Sequence, residues 1–358
     1  CDKIILATDN DKAGHALAEE IARRIGRAKC WAINYPTGCK DANEVIQHHG
    51  VEALKDVVSK SQPLPLKGVY SAKSYIQDVH DIFAKGVGSG ESTGITSVDD
   101  LFTIAEGQLS IVTGVPSSGK SEFVDQIMVN LAQNCSWKFA VASFENPPHF
   151  HIAKLSEKIV GKAFFEGESE RMTNKELTDC SNFIDKHFVF LDSRDGAVST
   201  IDSIIDRAKQ AVMRLGIRGL VIDPYNYIEK NTQSDESQSI SSMLTKVTAF
   251  AKAHGVHVWF IAHPAKMYPR EDGSMPIPTG MSISGSAAWF AKADLGVTVH
   301  RIGDDTEIHC WKSRFKWIGK QGAVPLAYDK STGRYSEWQS PQSDFVSPKH
   351  WTEIDVDF

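Results

Sequence analysis

The sequence is poor in cysteine, nearly balanced in charge, and without a long apolar run. Its six cysteines are Cys1, Cys30, Cys39, Cys135, Cys180 and Cys310, and none forms a Cys-x-x-Cys pair. That spacing excludes a disulfide scaffold and predicts reduced thiols, as in an intracellular protein. The longest apolar stretch, near Val256 to Ala262, is far too short to span a bilayer, so no membrane partner is expected. Lys and Arg total 39 against 45 Asp and Glu, a net charge of −6. Such a chain is no uniformly basic glove for nucleic acid, so phosphate binding must come from local clusters. One cluster is visible in 308–335, where Lys312, Arg314, Lys316, Lys320, Lys330 and Arg334 stand against Asp329. The rest is ordinary for a folded protein: 358 residues, 41% hydrophobic and 23% charged, room for two domains.

The chain begins at Cys1, not Met, with a strand already under way at Lys3, as expected of a fragment or processed form. Lys3 to Thr8 reads as a strand ending in Asp9-Asn-Asp11. Ala13, Leu17, Ile21 and Ile25 then mark one face of a helix that Gly26 stops. Cys30 to Tyr35 reads as a second strand and Asp41 to His49 as a second helix, half of a parallel α/β unit. Ser61 to Gly68 is rich in breakers. A helix from Ser71 to Lys85 follows, with the apolar stripe Ala72, Ile76, Val79 and Phe83, and then the flexible Gly86-Val-Gly-Ser-Gly90. That stripe packs either on its own domain or on a neighbouring subunit.

From Thr93 to Tyr335 strands and helices alternate again. Strands are predicted at 109–113, 138–144, 188–192, 219–223, 256–263, 295–300, 308–315 and 323–328, with helices such as 121–134, 201–215 and 239–254. About eight strands in one unit fit a single nucleotide-binding α/β domain. The end, Ser336 to Phe358, is polar and acidic and reads as an unstructured tail.

Gly114-Val115-Pro116-Ser117-Ser118-Gly119-Lys120-Ser121 matches G-x-x-x-x-G-K-[ST] in full, after an apolar strand and before a helix. The backbone N–H groups of such a loop close around phosphates, Lys120 reaches the β- and γ-phosphates, and the Ser121 hydroxyl ligates Mg²⁺. Three further strands end in polar groups: Glu145 after Phe139 to Phe144, Asp223 after Gly219 to Ile222, and His263 after Val258 to Ala262. In a parallel sheet these ends lie beside the phosphates. Asp223 there holds Mg²⁺ through its water shell, Glu145 acts as general base on water, and His263 touches the γ-phosphate. The bland alternatives are a capping Glu and a satisfied buried His.

Together these pieces resemble the RecA-type core of replicative ring helicases, in the Twinkle and phage primase-helicase branch of the DnaB-like group. The carrying stretches are Thr93 to Leu101, the phosphate loop, Ser143-Phe-Glu-Asn146, Ile222-Asp-Pro-Tyr-Asn226, Trp259 to Pro264, Ser284-Gly-Ser-Ala-Ala288 and Asp294 to Arg301. The resemblance implies a ring of six, or of seven, subunits that hydrolyses ATP or another NTP or dNTP with Mg²⁺ and moves on single-stranded and forked DNA. It adds Arg301 to the nucleotide-binding residues. It reads Trp311-Lys-Ser-Arg-Phe315 as a finger in which Lys312 and Arg314 reach a neighbour's γ-phosphate. It also assigns the loop after His263 to DNA, with Lys266, Arg270 and the backbone of Ser284, Gly285 and Ser286 on successive phosphates.

Asp9-Asn-Asp11-Lys-Ala-Gly14 and Lys40-Asp-Ala-Asn-Glu44 resemble the second half of a TOPRIM fold, whose paired carboxylates, here Asp9 and Asp11, bind Mg²⁺. An acidic residue on an earlier strand has no counterpart, and zinc-ribbon cysteines are lacking, so primer synthesis is not expected of this stretch alone. The implied layout is a partial TOPRIM unit at 1–62, a linker with an interface helix at 63–90, the RecA-type motor at 91–338 and an acidic tail at 339–358. The tail, ending Glu353-Ile-Asp-Val-Asp-Phe358, resembles tails that contact replicative DNA polymerase and the tips of single-strand-binding proteins. Two other classes stay open: a RecA/RadA-type recombination ATPase that forms filaments, and an NTP-assembled platform that anneals DNA or recruits polymerase. The compartment follows the host: bacterial cytoplasm for a phage protein, mitochondrion or plastid for a eukaryotic one.

Overall fold

The computed structural model describes residues 2–64, 72–192, 200–225, 235–268 and 276–339. It opens on a small three-stranded sheet. β1 (Ile4–Leu6) leads through Asp9 and Asp11 into α1 (Lys12–Ile25), and β2 (Cys30–Ala32) returns parallel to β1. α2 (Ala42–His49) and α3 (Val51–Ser59) follow, separated by Gly50, which caps the end of one and the start of the other. The expected elements did not include α3. β3 (Gln62–Pro63) pairs antiparallel with β2. α1 meets the rest of the protein through Arg23, whose Nη1 donates to the carbonyls of Ile217 and His254, each at 3.2 Å.

The linker helix is α4 (Ile76–Lys85), preceded by a 3-10 turn at Ala72–Tyr75, so the predicted helix starts later than expected. No residue of α4 is buried; Phe83 is 90% exposed, and Ile76 and Val79 are exposed beside it. The stripe is not covered by any of the described residues.

After the short α5 (Thr96–Asp99) the chain builds a nine-stranded sheet. Its strands are β4 (Leu109–Thr113), β5 (Phe139–Ser143), β6 (Phe188–Phe190), β7 (Gly219–Asp223), β8 (His257–Ile261), β9 (Leu295–Ile302), β10 (Asp305–Ser313), β11 (Gly322–Asp329) and β12 (Arg334–Glu337). The spatial order is β12-β11-β10-β9-β4-β8-β7-β5-β6. From β9 to β6 every pair is parallel; β9 to β12 is an antiparallel edge. β4, β7 and β8 are buried at every position, which is why they read as apolar runs without alternation. Helices cover both faces. α6 (Lys120–Cys135), α7 (Pro148–Val160) and α8 (Asn174–His187) share one core with Phe139, Val221 and Trp259. α9 (Ile201–Leu215) and α10 (Glu236–His254) share the other with Leu220, Ile222 and Phe260, joined by Trp289 of the short α11 (Ala288–Lys292).

β12 corrects one expectation. The polar sequence assigns Ser336 and Glu337 to the start of a tail, yet they continue a strand paired with β11. Tyr335 explains it: its ring is buried, edge-on to Phe123 and against Tyr328, which anchors the strand. Residues 340–358 lie outside the described residues. Five cysteines are described, and all are unpaired.

Candidate active site

The parallel strands bring four polar ends to one edge of the sheet. β4 is central, between β8 and β9, and runs straight into the phosphate loop. Its neighbours along that edge are His263 after β8, Asp223 at the end of β7 and Glu145 after β5. Crevices at the carboxyl ends of parallel strands are where such sheets bind ligands.

The loop has the shape its residues allow. Gly119 has φ 93°, in the left-handed region, and sits below the Tyr335 hydroxyl where a Cβ would collide. Tyr335 Oη donates to the Gly119 carbonyl at 3.1 Å. Lys120 Nζ folds over the loop and donates to the carbonyls of Gly114 and Val115, each at 2.9 Å. The buried Ser118 hydroxyl has no hydrogen-bond partner among the described residues. Burial lowers the Lys120 pKa to about 8, against the pull of Asp223 and Glu145.

Ser121 Oγ donates to Asp223 Oδ2 at 2.5 Å. Burial pushes the Asp223 carboxyl up to about 6, opposed by that hydrogen bond. A hydroxyl and a buried carboxylate are hard ligands of the kind that suits Mg²⁺ beside phosphates. Glu145 Oε1 lies 3.5 Å from His263 Nε2. The His263 pKa is lowered, first by burial and then by the Lys120 charge, which favours the neutral ring. Arg301 stands at the rim, its guanidinium 4.4 Å above the Tyr328 ring and its Nε buried without a partner among the described residues.

The finger residues lie elsewhere. Ser313 is level with Leu295 and therefore with Ser110, near the start of β4, while the phosphate loop follows Thr113. Three strand steps, about 10 Å, separate them, and the chain at Arg314 leaves from the opposite edge of the sheet. The sequence motif assigns Lys312 and Arg314 to a neighbour's γ-phosphate, and the fold keeps them away from their own subunit's loop.

The expected DNA segment is partly described. A bridge between Pro264 and Ile283 closes the loop after His263, so Ser284, Gly285 and Ser286 emerge beside its base. Lys266 is exposed, its ammonium 5.6 Å from the Tyr268 ring. Arg270 lies outside the described residues. Ser286 Oγ accepts the Ala288 N–H at 3.0 Å and so starts α11. In the N-terminal unit Asp11 accepts the Gly14 N–H at 2.7 Å as the cap of α1, and Asp9 precedes it. Glu44 and Asp41 are likewise engaged at the start of α2, on the N–H groups of Lys40 and Glu44. Among the described residues no group of three or more His, Cys, Asp or Glu side chains could hold a metal.

Sequence reasoning missed several partners. Tyr335 reaches the loop from the far edge of the sheet, with Tyr328 packed between it and Arg301, and no spacing in the sequence ties them to the site. Asp125 and His151 form a buried pair at 2.9 Å between α6 and α7, behind Asp223. Burial disfavours the imidazolium, but the Asp125 charge and hydrogen bond outweigh it and raise the His151 pKa. Glu122 pairs with the buried Lys158, which also donates to the Gly333 carbonyl at 2.6 Å. The one available hint was a charged residue on an otherwise apolar helix face.

The fold and this site define a RecA-type P-loop motor. Residues 90–337 match the family described as DnaB-like helicase C terminal domain, and residues 1–46 match one described as Toprim-like. The first match spans well over half of the chain, which therefore belongs to the DnaB-like helicases. Within that class it is Twinkle-like. It is 38% identical over 355 residues to the Twinkle homolog protein, chloroplastic/mitochondrial, of Arabidopsis thaliana, covering 94% of this chain and 50% of that protein. It is 28% identical over 380 residues to the DNA helicase/primase of Enterobacteria phage T3, covering 99% of this chain and 64% of that one. The chain thus spans about half to two thirds of these relatives' length. A DnaB-like replicative helicase, solved to show its interactions with primase, shares the fold. Its TM-score is 0.63 at 17% identity, covering 83% of this chain and 74% of that one.

Proposed function

We propose that this chain is the motor part of a replicative DNA helicase: a ring of six or seven subunits that hydrolyses ATP or another NTP or dNTP and moves 5′ to 3′ on single-stranded DNA, opening the duplex at a fork. The observation that carries this reading is the separation of the two halves of the site. The phosphate loop, Asp223, Glu145 and His263 share one edge of the sheet, and Lys312 and Arg314 leave from the other. Neither Lys312 nor Arg314 can reach a phosphoryl group held by its own subunit's loop, so as a finger they complete the site of a neighbouring subunit.

In this reading the backbone of Gly114 to Gly119 cradles the phosphates, Lys120 exchanges its two carbonyl partners for phosphate oxygens, and Arg301 with Tyr328 flanks the rest of the nucleotide. Ser121, and Asp223 through a water shell, would hold a Mg²⁺, which would supply neutralisation of charge on the β- and γ-phosphates. Glu145 orients and polarises the attacking water. His263 holds Glu145 on one side and begins the loop to Lys266 on the other, so loss of the γ-phosphate is felt where DNA is held. Lys266, Arg270 and the N–H groups of Ser284, Gly285 and Ser286 grip DNA phosphates without reading bases. The exposed stripe of α4 docks on a neighbouring subunit. The acidic end of the chain contacts polymerase or a single-strand-binding protein. The intact protein is also a primase, with Asp9 and Asp11 among its Mg²⁺ ligands, as the Toprim-like match and the helicase/primase relative support.

Replacing Lys120 by Ala abolishes DNA-stimulated hydrolysis; undiminished turnover would sink the assignment. Electron micrographs with NTP show closed rings, whereas helical filaments point to a recombinase. Brisk hydrolysis without unwinding of a forked duplex points to an assembly platform.

A further inference from the structure

Lys312 and Arg314 are held before any neighbour arrives. Lys312 Nζ donates to the carbonyls of Phe290 at 2.6 Å and Ala291 at 3.0 Å. Arg314 Nη2 donates to the Ala291 carbonyl at 3.3 Å, and its Nη1 lies 3.0 Å from Asp294 Oδ1. Both cations therefore rest on the carbonyl end of α11. The Asp294 side chain is 1% exposed. Its other oxygen accepts the Leu109 N–H at 3.0 Å. Its backbone exchanges hydrogen bonds with the same region: Asp294 N–H to the Leu109 carbonyl at 2.9 Å, and Arg314 N–H to the Asp294 carbonyl at 2.8 Å.

A buried carboxylate needs a matching cation, and Arg314 supplies it. The guanidinium has five N–H donors in a rigid fork. The Asp294 carboxylate pairs with one terminal nitrogen by charge, without a hydrogen bond, the Ala291 carbonyl accepts from the other, and the side chain stays 37% exposed. Donors remain to meet an anion from outside. The strand pairing adds a second constraint. The register of β10 on β9 shifts between Cys310 and Lys312, a bulge at Trp311, and the Trp311 indole packs over Gly296 where a Cβ has no room. The bulge re-aims the residues after it toward Asp294.

We propose that Asp294 is the positioning residue of the finger, a buried carboxylate that orients Arg314 so that its free donors face the phosphates in a neighbouring subunit. The inference rests on the reading of Lys312 and Arg314 as a finger acting between subunits. Holding the guanidinium in place beforehand means that assembly does not have to freeze a long side chain, which is how a preorganised donor gains its effect. Asp294 never touches nucleotide.

The competing role for Asp294 is local: tying the start of β4 to β9 and so supporting its own subunit's phosphate loop. Asp294→Asn separates the two, because it keeps an oxygen for the Leu109 N–H and removes the charge facing Arg314. In rings of Asp294→Asn subunits kcat falls about tenfold or more, while KM changes less than about twofold. The variant is then mixed with excess Glu145→Gln subunits, which cannot hydrolyse but carry intact fingers. Turnover per Asp294→Asn subunit recovers, and it does not recover when the added subunits carry both Glu145→Gln and Asp294→Asn. The difference between the two mixtures is the readout, since a merely structural defect would give the same low rate in both. Asp294→Glu, which restores the charge, regains part of kcat and keeps the test open if the Asn variant folds poorly. Unchanged kcat in Asp294→Asn, or equal rates in the two mixtures, overturns the proposal. Arg314→Ala subunits mixed with Glu145→Gln subunits serve as the reference. If they recover and Asp294→Asn does not, the finger stands and the Asp294 role falls; if Arg314→Ala loses no activity, the finger reading itself falls.

Discussion

Lys120 and Asp223 face each other's charge across a buried site, and burial moves both toward neutrality: Lys120 down to about 8 and Asp223 up to about 6. Nucleotide needs the charged Lys120, and Mg²⁺ needs the charged Asp223. Above about pH 8 the free protein must take up a proton on Lys120 to bind, so nucleotide affinity falls by roughly tenfold per pH unit. Below about pH 6 protons compete for Asp223, so the Mg²⁺ concentration for half-maximal hydrolysis rises. Titration calorimetry and hydrolysis assays from about pH 5 to about pH 10 check both arms, and a flat profile contradicts the site. At this scale the loop residues, Asp223, Glu145 and His263 are legible in sequence because each ends an apolar strand, and strand ends share an edge. Tyr335 and the Asp125–His151 pair are not legible, because their partners are set by tertiary contacts between elements far apart in the chain.

α4 is the element whose pattern and structure agree most plainly. Its apolar positions recur at helical spacing, and the structure leaves Ile76, Val79, Ile82 and Phe83 exposed with none of the helix buried. Such a stripe is left without a cover among the described residues. Phe83→Glu is expected to leave the stability of the isolated subunit within about 0.5 kcal/mol, since none of the described residues covers the ring. It is expected to shift rings toward monomers in sedimentation or light scattering. Unchanged assembly would mean that α4 packs on its own domain. β12 shows the opposite case: four residues with little apolar pattern become a strand because Tyr335 is buried between Phe123 and Tyr328. α3 likewise escaped prediction, since Gly50 both ends one helix and begins the next.

Over the whole molecule the N-terminal unit and the motor meet at Arg23. Its guanidinium reaches the His254 carbonyl at the end of α10, where a cation also meets the negative end of the helix dipole, and the Ile217 carbonyl just past α9. Glu20 aims it, through contacts of 2.8 and 3.0 Å. The hydrogen bonds from Arg23 and then Arg24 hold the Glu20 carboxyl down to about 2. A depressed carboxyl contributes stability that is fully present above its ordinary value of 4.5 and is lost as pH falls toward about 2. Arg23→Ala is expected to reduce the hydrogen-exchange protection of α1 while sparing hydrolysis at neutral pH, and the wild type at low pH is expected to lose the same protection. Protection of α1 that ignores both changes would show that other contacts hold the unit.

The sequence by itself determined the class of this protein. A full phosphate-loop motif between a strand and a helix, and three apolar strands each closing on a polar residue, depend only on local pattern, which the period of strand and helix makes readable. It also shows the basic residues gathered in 308–335, but the fold divides them: Lys312 and Arg314 leave from one edge of the sheet, while Lys330 pairs with Asp304 and Arg334 meets the end of α7 at the other. Only the tertiary structure decided which edge of the sheet each group occupies. The order of strands sends Arg314 away from its own phosphate loop and onto Asp294, and that order is fixed by the packing of two cores and by a bulge over Gly296, which no linear spacing records.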